Sequence, residues 1–308
     1  MGHNKWACNA LRAILSKGYN VQAVVCETDE FDEKEKENYQ RFLEFNAYES
    51  LKDTAQKLGL EVVQPKDVHS PEFIKWLENK SPDVVIMVSY HSIIRAPLLE
   101  KFFFVNLQCA PLPRYRGRAP INWAIINNEK EFGITAHIVD EGIDTGPIIC
   151  QKFFEIKKEE RAIDVLLKAL PLFADLAVEA LEKLQKPDFT PQKQDLSEGC
   201  YFPRRYPEDG KIDWKIESSL EIYNKIRALA YPYPGAFSYF QGEKIIFNSA
   251  RLPTSIKPIT PVGGILFGWT KDGSAKISTR DGWLEITEII WKGEKMHPAK
   301  ILKTGQRF

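Results

Sequence analysis

The side chains best suited to chemistry lie in two short stretches of this 308-residue chain. Asn106 and Gln108 flank Leu107, and Asp144 begins a later Asp-Thr-Gly run. An asparagine amide can donate to an oxygen that becomes negative, and an aspartate can orient or ionise a partner. Gln108 stands where a base would be best placed, yet a glutamine accepts no proton at neutral pH. The pattern predicts an acyl-transfer site with one member changed.

The stretch from Asn106 to Ile149, NLQCAPLPRYRGRAPINWAIINNEKEFGITAHIVDEGIDTGPII, resembles the formyltransferases that use 10-formyltetrahydrofolate. That family has an Asn-x-His motif, a Pro-x-Tyr-Arg-Gly run and a later Asp-Thr/Ala-Gly. All three are present here, except that Gln108 replaces the histidine. The run RGRAPINWAI most resembles the sugar-nucleotide N-formyltransferases, such as UDP-4-amino-4-deoxy-L-arabinose formyltransferase. Methionyl-tRNA formyltransferase is the nearest alternative.

The resemblance implies transfer of a formyl group from 10-formyltetrahydrofolate to the amine of a dTDP- or UDP-linked aminosugar, a step of lipopolysaccharide biosynthesis, without a metal. By resemblance Asn106, Gln108 and Asp144 form the catalytic set. Without a base at Gln108 we expect a loss of about 10²–10⁴ in rate. Two alternatives stay open: a methionyl-tRNA formyltransferase, and a non-catalytic binder of folate or nucleotide-sugar.

The resemblance also implies where the two substrates bind. The folate residues are predicted to be Ser89, Tyr90, His91, Ile93, Ile94, Val139, Asp140 and Gly142. The acceptor residues are predicted to be Asn4, Lys5, Trp6, Arg116 and Arg118. His137 could replace the missing base, although a histidine between apolar residues on a strand is more often buried and structural. Cys109 is expected to pack rather than to act as a nucleophile.

Charge and composition disfavour nucleic acid and membrane as partners. The chain has 42 lysines and arginines and 42 aspartates and glutamates. Residues 205–308 carry 16 basic against 11 acidic side chains, and the segment ETDEFDEKEKE is mostly acidic. No apolar run has the ~20 residues of a membrane helix. Five scattered cysteines without CxxC spacing indicate a reduced cytoplasm and no structural zinc. A homodimer stays open.

Strand-like and helix-like segments alternate in the first two-thirds of the chain, as in an α/β protein with a doubly wound parallel sheet. Asn106 lies near the end of one such strand, where ligands bind in these sheets. Short glycine-separated strands follow residue 205, and with the resemblance they predict a small OB-like β-barrel. The expected domains are a Rossmann-like catalytic domain over 1–190, a linker over 191–204 and the OB-like domain over 205–308.

The N-terminus departs from the resemblance, because the family begins with an apolar strand and here Gly2 directly follows Met1. That strand is normally central in the sheet. We expect an apolar strand of ~5 residues before Met1 in the natural gene, since a missing central strand exposes two ladder edges and much core. A chain that really starts at Met1 should show a gap beside the strand that begins at Val21.

Overall fold

A computed structural model describes residues 1–27, 40–254 and 262–308 of the chain. The chain divides into two compact units. The first comprises Met1–Pro120, Glu131–Glu155 and Val165–Pro203, and the second Ile121–Lys130, Ile156–Asp164 and Arg204–Phe308. Two short segments that precede residue 190 thus belong with the C-terminal unit. Within the described ranges no helix is long and apolar enough to cross a membrane.

The first unit is an α/β layer structure, and two of its helices extend into the segments of the second unit. Its helices are Asn4–Ser16 (α1), Leu51–Lys57 (α2), Pro71–Lys80 (α3), Leu98–Lys101 (α4), Pro120–Ile126 (α5) and Ala162–Leu184 (α6). Its strands are Val24–Val25 (β1), Val62–Val63 (β2), Val85–Val88 (β3), Phe104–Gln108 (β4), Arg116–Gly117 (β5), Glu131–Ile138 (β6), Ile148–Glu155 (β7) and Tyr201–Phe202 (β8).

The sheet that carries the chemistry has the strand order β3-β4-β6-β7. β3 and β4 are parallel, whereas β4–β6 and β6–β7 are antiparallel. The α/β class and the Rossmann-like domain are therefore confirmed, but the sheet is mixed rather than wholly parallel. The sequence placed His137 on a strand but did not predict the long pair β6 and β7. The loop that joins them is too short for the crossover that parallel neighbours need, so they pair in the antiparallel sense.

Met1 and Gly2 take the place of a central strand between β1 and β3. Gly2 N donates to Val25 O, and Val88 N donates to Met1 O, at 3.0 Å each. Beyond this point the slot is open, and a cavity of about 640 Å³ is lined by residues of β1, β3 and α1. The strand expected before Met1 stays a prediction. The two residues still fix the start of α1 against the carboxyl end of β3.

The second unit contains a β-sheet, most of α5 and the helix Ser219–Leu229 (α7). Its strands are Ala236–Phe240 (β9), Glu243–Arg251 (β10), Leu266–Trp269 (β11), Ala275–Ser278 (β12), Trp283–Trp291 (β13) and Glu294–Met296 (β14). The order is β11-β12-β13-β10-β9, and β14 pairs with β13. A β-rich C-terminal domain is confirmed. Within the described residues no strand pairing closes this sheet, so a closed barrel is not observed.

Asn122, in the RGRAPINWAI run, has a structural role in the second unit. It is 6% exposed, and its Nδ2 donates to Ala228 O at 2.7 Å. The next residue, Trp123, lies under the guanidinium of Arg205, 4.7 Å from the ring centroid. These contacts anchor α5 to α7 and to the segment after residue 203. Asn122 and Trp123 are therefore packing residues, and they do not indicate which substrate accepts the transferred group.

Replacing Asn122 with alanine should lower the free energy of unfolding by about 1–3 kcal/mol, because Ala228 O would be buried without its donor. Urea denaturation followed by fluorescence measures the change. Asn79→Ala, at an exposed position near the end of α3, is the matched control and should leave stability nearly unchanged. An Asn122→Ala protein as stable as the control variant would contradict the structural role.

Candidate active site

β4 brings Asn106 and Gln108 to the same face of the sheet. Side chains alternate along a strand, so Val105 and Leu107 point to the other face, where they are buried. Asn106 pairs with His137 of β6 across the ladder, and Gln108 pairs with Thr135. The strand ends at Gln108. Both amides therefore lie at the carboxyl end of β4, as the sequence predicted for Asn106.

Asp144 reaches the same place from the loop between β6 and β7. Its backbone has φ +56°, in the left-handed region that only a few residue types adopt readily. Gln194 holds this loop, because its Nε2 donates to Asp144 O at 3.0 Å and to Gly146 O at 2.6 Å. The Asp144 carboxylate Oδ2 accepts from Gln108 Nε2 at 2.8 Å and from Gly117 N at 2.9 Å. The three predicted catalytic residues thus converge.

Gly117 closes the other side of this arrangement. Its carbonyl accepts from Gln108 Nε2 at 3.3 Å, while its N–H binds Asp144. The residue has φ +96°, and a Cβ would lie 2.3 Å from Phe202 O on the paired strand β8. Only glycine fits such a position. The Tyr-Arg-Gly run therefore supplies backbone groups to the site through its glycine.

The geometry decides which hydrogen bonds each amide can offer to a substrate. The two Nε2 hydrogens of Gln108 point to Asp144 and Gly117, which leaves its Oε1 as an acceptor. Gln108 thus has no hydrogen left to donate to a substrate oxygen. Asn106 Nδ2 lies 3.2 Å from His137 Nε2 and has a second hydrogen with no acceptor in the described chain. Donation to an oxyanion therefore falls to Asn106.

His137 is the residue at this centre that the sequence undervalued. It is buried, as expected, at 2% exposure. Its Nδ1 lies 2.8 Å from Ile138 O, and its Nε2 lies 3.6 Å from Asp144 Oδ1. Had β6 been recognised as antiparallel to β4, the register would have placed His137 opposite Asn106.

The predicted folate residues occupy two neighbouring loops but differ in their surroundings. Ile94 is buried in the core, and Val139 packs against the same cluster. Ile93 is 51% exposed. The Glu27 carboxylate accepts from His91 N at 2.6 Å and lies 2.8 Å from His91 Nδ1. Burial alone would raise the pKa of Glu27, but its bonds to His91 lower it overall.

The other members of the folate set shape these loops. Burial and the nearby Glu27 raise the pKa of Tyr90 to about 12. Asp140 Oδ1 accepts from Gly142 N at 3.1 Å and from Thr145 Oγ1 at 2.6 Å, which folds the loop before Asp144. His91 and Ile93 also line a cavity of about 340 Å³, together with Lys66 and Arg95 among others. The folate assignments of Ser89, Tyr90, His91, Ile93, Ile94, Val139, Asp140 and Gly142 stay predictions.

The predicted acceptor residues at the N-terminus already have partners in the chain. Asn4 Nδ2 donates to Ser89 Oγ at 3.2 Å, so it links α1 to the end of β3. Lys5 Nζ donates to the backbone and side-chain oxygens of Asn46. Trp6 packs on Phe173 with ring centroids 4.8 Å apart. These contacts are those of packing residues, and their role toward an acceptor stays a prediction.

Arg116 differs from the other predicted acceptor residues. Its Nε is buried and has no hydrogen-bond partner among the described residues. A buried guanidinium nitrogen without a partner is unfavourable unless a ligand satisfies it. Arg118, two residues later, is exposed. Arg116 is therefore the member of this set whose surroundings call most clearly for an anion.

The remaining chemistry considered from the sequence concerns Cys109 and metals. Cys109 is 3% exposed, and burial raises its pKa far above that of a free thiol. A thiol of this kind is not an activated nucleophile. In the described ranges no three His, Cys, Asp or Glu side chains are grouped so as to hold a metal ion.

Solved structures with the same architecture include two formyltransferases of different acceptor type. An N-formyltransferase from Helicobacter canadensis, in complex with folinic acid and dTDP-3-aminofucose, is 24% identical with a TM-score of 0.67. The match covers 94% of this chain and 96% of that one. Methionyl-tRNA formyltransferase from Clostridium thermocellum is 26% identical with a TM-score of 0.52, over 75% and 93%. The first of these shows the fold alone.

Sequence relatives overturn the prediction of a sugar-nucleotide enzyme. Seven curated methionyl-tRNA formyltransferases are 31–34% identical to this chain. The one from Thermodesulfovibrio yellowstonii is 33% identical, and the match covers 100% of this chain and 95% of that protein. The prediction of an aminosugar acceptor and of lipopolysaccharide biosynthesis was wrong. It relied on the Asn122-Trp123 pair, whose contacts are structural.

Both halves of the chain match models of one family. Residues 2–172 match the formyl transferase model, and residues 205–307 match the formyl transferase C-terminal domain model. The chain therefore belongs to the formyltransferase family of folate-dependent one-carbon transferases, whose formyl donor is 10-formyltetrahydrofolate.

Proposed function

We propose that this protein is a methionyl-tRNA formyltransferase, which moves a formyl group from 10-formyltetrahydrofolate to the amine of methionine on its tRNA. The observation that carries the proposal is the likeness to seven enzymes of that name, six of which match over 98–100% of this chain. The convergence of Asn106, Gln108 and Asp144 supports the same chemistry, because it joins an oxyanion donor to a carboxylate at one strand end.

Each residue of the site has a distinct task in this reaction. The folate supplies an activated formyl group. The free hydrogen of Asn106 Nδ2 stabilises negative charge on the formyl oxygen. Gln108 Oε1 accepts a hydrogen bond from the attacking amine and so orients its lone pair. The Asp144 carboxylate fixes Gln108 in that orientation through Nε2. None of these steps requires residue 108 to take the proton.

The second unit carries a surface suited to RNA. Tyr239 is 53% exposed, and Lys211 Nζ lies 5.8 Å from its ring centroid. Lys244 pairs with Tyr239 across the β9–β10 ladder, and its Nζ lies 4.0 Å from the Phe237 ring. Exposed rings beside lysines can stack bases and contact phosphates. The acidic segment that argued against tRNA lies outside the described residues, apart from Glu27.

Purified protein with 10-formyltetrahydrofolate should formylate charged initiator Met-tRNA, as detected by mass spectrometry of the released methionine. Binding of the tRNA should weaken steeply with salt, because phosphate contacts release counterions. UDP- and dTDP-linked 4-aminosugars are the control acceptors and should receive no formyl group. Transfer to an aminosugar and not to Met-tRNA would contradict the proposal.

Replacing Gln108 with histidine should raise the single-turnover rate at least roughly tenfold, because Asp144 would then hold an imidazole that can take the amine's proton. The rate of the variant should also gain a bell-shaped dependence on pH. Gln108→Asn, an amide one carbon shorter, is the matched control and should show no gain.

Two outcomes of this substitution separate the alternatives. If Gln108→His transfers no faster than the protein itself, residue 108 is not the position of the base. If both proteins bind folate by calorimetry and neither transfers to any acceptor, the chain is a non-catalytic folate binder.

A further inference from the structure

His137 occupies a buried position between two residues of the candidate site. Its side chain is 3% exposed, whereas that of Asp144 is 11% exposed. One ring nitrogen faces a backbone carbonyl, and the other faces both Asn106 Nδ2 and Asp144 Oδ1. A buried polar ring in a strand needs partners, but an apolar residue would need none. The burial of an imidazole among these polar groups therefore indicates a role in the site.

The contacts of His137 allow two alternative protonation states. When the ring is neutral, Nδ1–H donates to Ile138 O, and the lone pair of Nε2 accepts from Asn106 Nδ2. When the ring is protonated, Nε2–H can instead donate to Asp144 Oδ1, which lies 3.6 Å away. Nε2 cannot make both bonds at once, because it has one lone pair or one hydrogen. Protonation of His137 therefore replaces its hydrogen bond with Asn106 by one with Asp144.

Asp144 Oδ1 is the atom that can connect this ring to a substrate. The other oxygen, Oδ2, is engaged by Gln108 and Gly117. Oδ1 accepts no hydrogen bond within 3.5 Å in the described chain, and it faces Nε2. A carboxylate oxygen has lone pairs for two donors at once. An amine bound at Gln108 Oε1 would therefore find the second acceptor of the site in the Asp144 carboxylate.

We propose that His137 holds the proton that Gln108 cannot accept, and that it receives this proton through Asp144. The inference rests on the proposed transfer to an amine. The bond between the amine nitrogen and the formyl carbon forms, and the amine's proton passes by way of Asp144 Oδ1 to His137 Nε2. The bond between the formyl carbon and N10 then breaks with its electron pair on N10. The same proton returns through Asp144 to N10, so charge and atoms balance.

The surroundings of His137 leave Asp144 as its charged partner. In the described part of the chain, the neighbour on β4 is the neutral Asn106, and the neighbour on β7 is Ile148. Asp140 lies on the loop after β6, but its Oδ1 is engaged by Gly142 N and Thr145 Oγ1. A gain of charge on His137 is therefore balanced within the pair that it forms with Asp144.

The activity test uses His137→Gln and His137→Asn in the full chain, with single-turnover transfer from 10-formyltetrahydrofolate to Met-tRNA. Both variants should transfer at least roughly 10²-fold more slowly and lose the pH dependence that an imidazole confers. His137→Asn keeps an amide near the Nδ1 position, so it protects the fold. His297→Gln, an exchange of a histidine in the second unit, is the control and should leave the rate unchanged.

The second arm relocates the base within the same site. Gln108→His combined with His137→Gln should recover most of the rate, because the new imidazole is held by the same carboxylate. A histidine that is only structural could not be replaced in this way. The inference would be overturned if both His137 variants kept the original rate. It would also be overturned if Gln108→His failed to restore the rate of a folded His137→Gln protein. If no variant, Gln108→His included, transfers to Met-tRNA, the proposed acceptor fails instead.

A readout without substrate comes from nuclear magnetic resonance of protein labelled in its five histidines. The signal lost in His137→Gln identifies His137. Its neutral ring should show the tautomer protonated at Nδ1, and its Nε2 resonance should shift in Asp144→Asn because Nε2 faces the carboxylate. A ring of the opposite tautomer, or an Nε2 resonance that is the same in Asp144→Asn, would contradict the coupling.

Discussion

The rest of the site depends on the contacts of the Asp144 carboxylate. One of its oxygens accepts from both Gln108 and Gly117, and the other faces His137. A carboxylate can do this because it has lone pairs on two oxygens and no hydrogen of its own when ionised. It therefore fixes which end of the Gln108 amide is left for a ligand. It also lies between the partly buried amides of β4 and the buried imidazole of His137.

The fold serves to hold this one carboxylate in place. The antiparallel return of β6 and β7 carries the Asp144 loop back to the end of β4, and Gln194 binds two carbonyls of that loop. Gly117 approaches from β5, where any side chain would collide with the paired strand. The left-handed backbone of Asp144 is maintained by these surrounding bonds. Rigid elements on three sides thus support a short loop.

The sequence was sufficient to predict the chemistry and the fold class. Asn106, Gln108 and Asp144 belong to a dense motif, and the α/β and β-rich halves follow from strand and turn patterns. It was not sufficient to predict the neighbours of these residues. His137 was placed on a strand, but the sequence could not show that this strand pairs antiparallel with β4 and so sets His137 opposite Asn106.

The acceptor was misjudged for a related physical reason. The run RGRAPINWAI resembled the sugar-nucleotide enzymes, but burial and the bond to Ala228 make its Asn122 part of a core. A polar residue in a motif is informative about function only when its donor or acceptor groups are not already used within the protein. Arg116, with its buried Nε unpartnered, meets that condition, and no sequence pattern distinguishes it from Arg118.

The central claim is that Asp144 organises transfer rather than folate binding. It is tested most directly by comparing Asp144→Asn with the unmodified protein, measuring single-turnover formyl transfer and, by calorimetry, folate affinity. The asparagine would have one acceptor oxygen and one donor in place of two acceptor oxygens, and it would offer His137 no charge. We expect a loss of at least roughly 10²-fold in transfer with folate affinity nearly unchanged. Transfer at the original rate, or equal losses in rate and affinity, would contradict it.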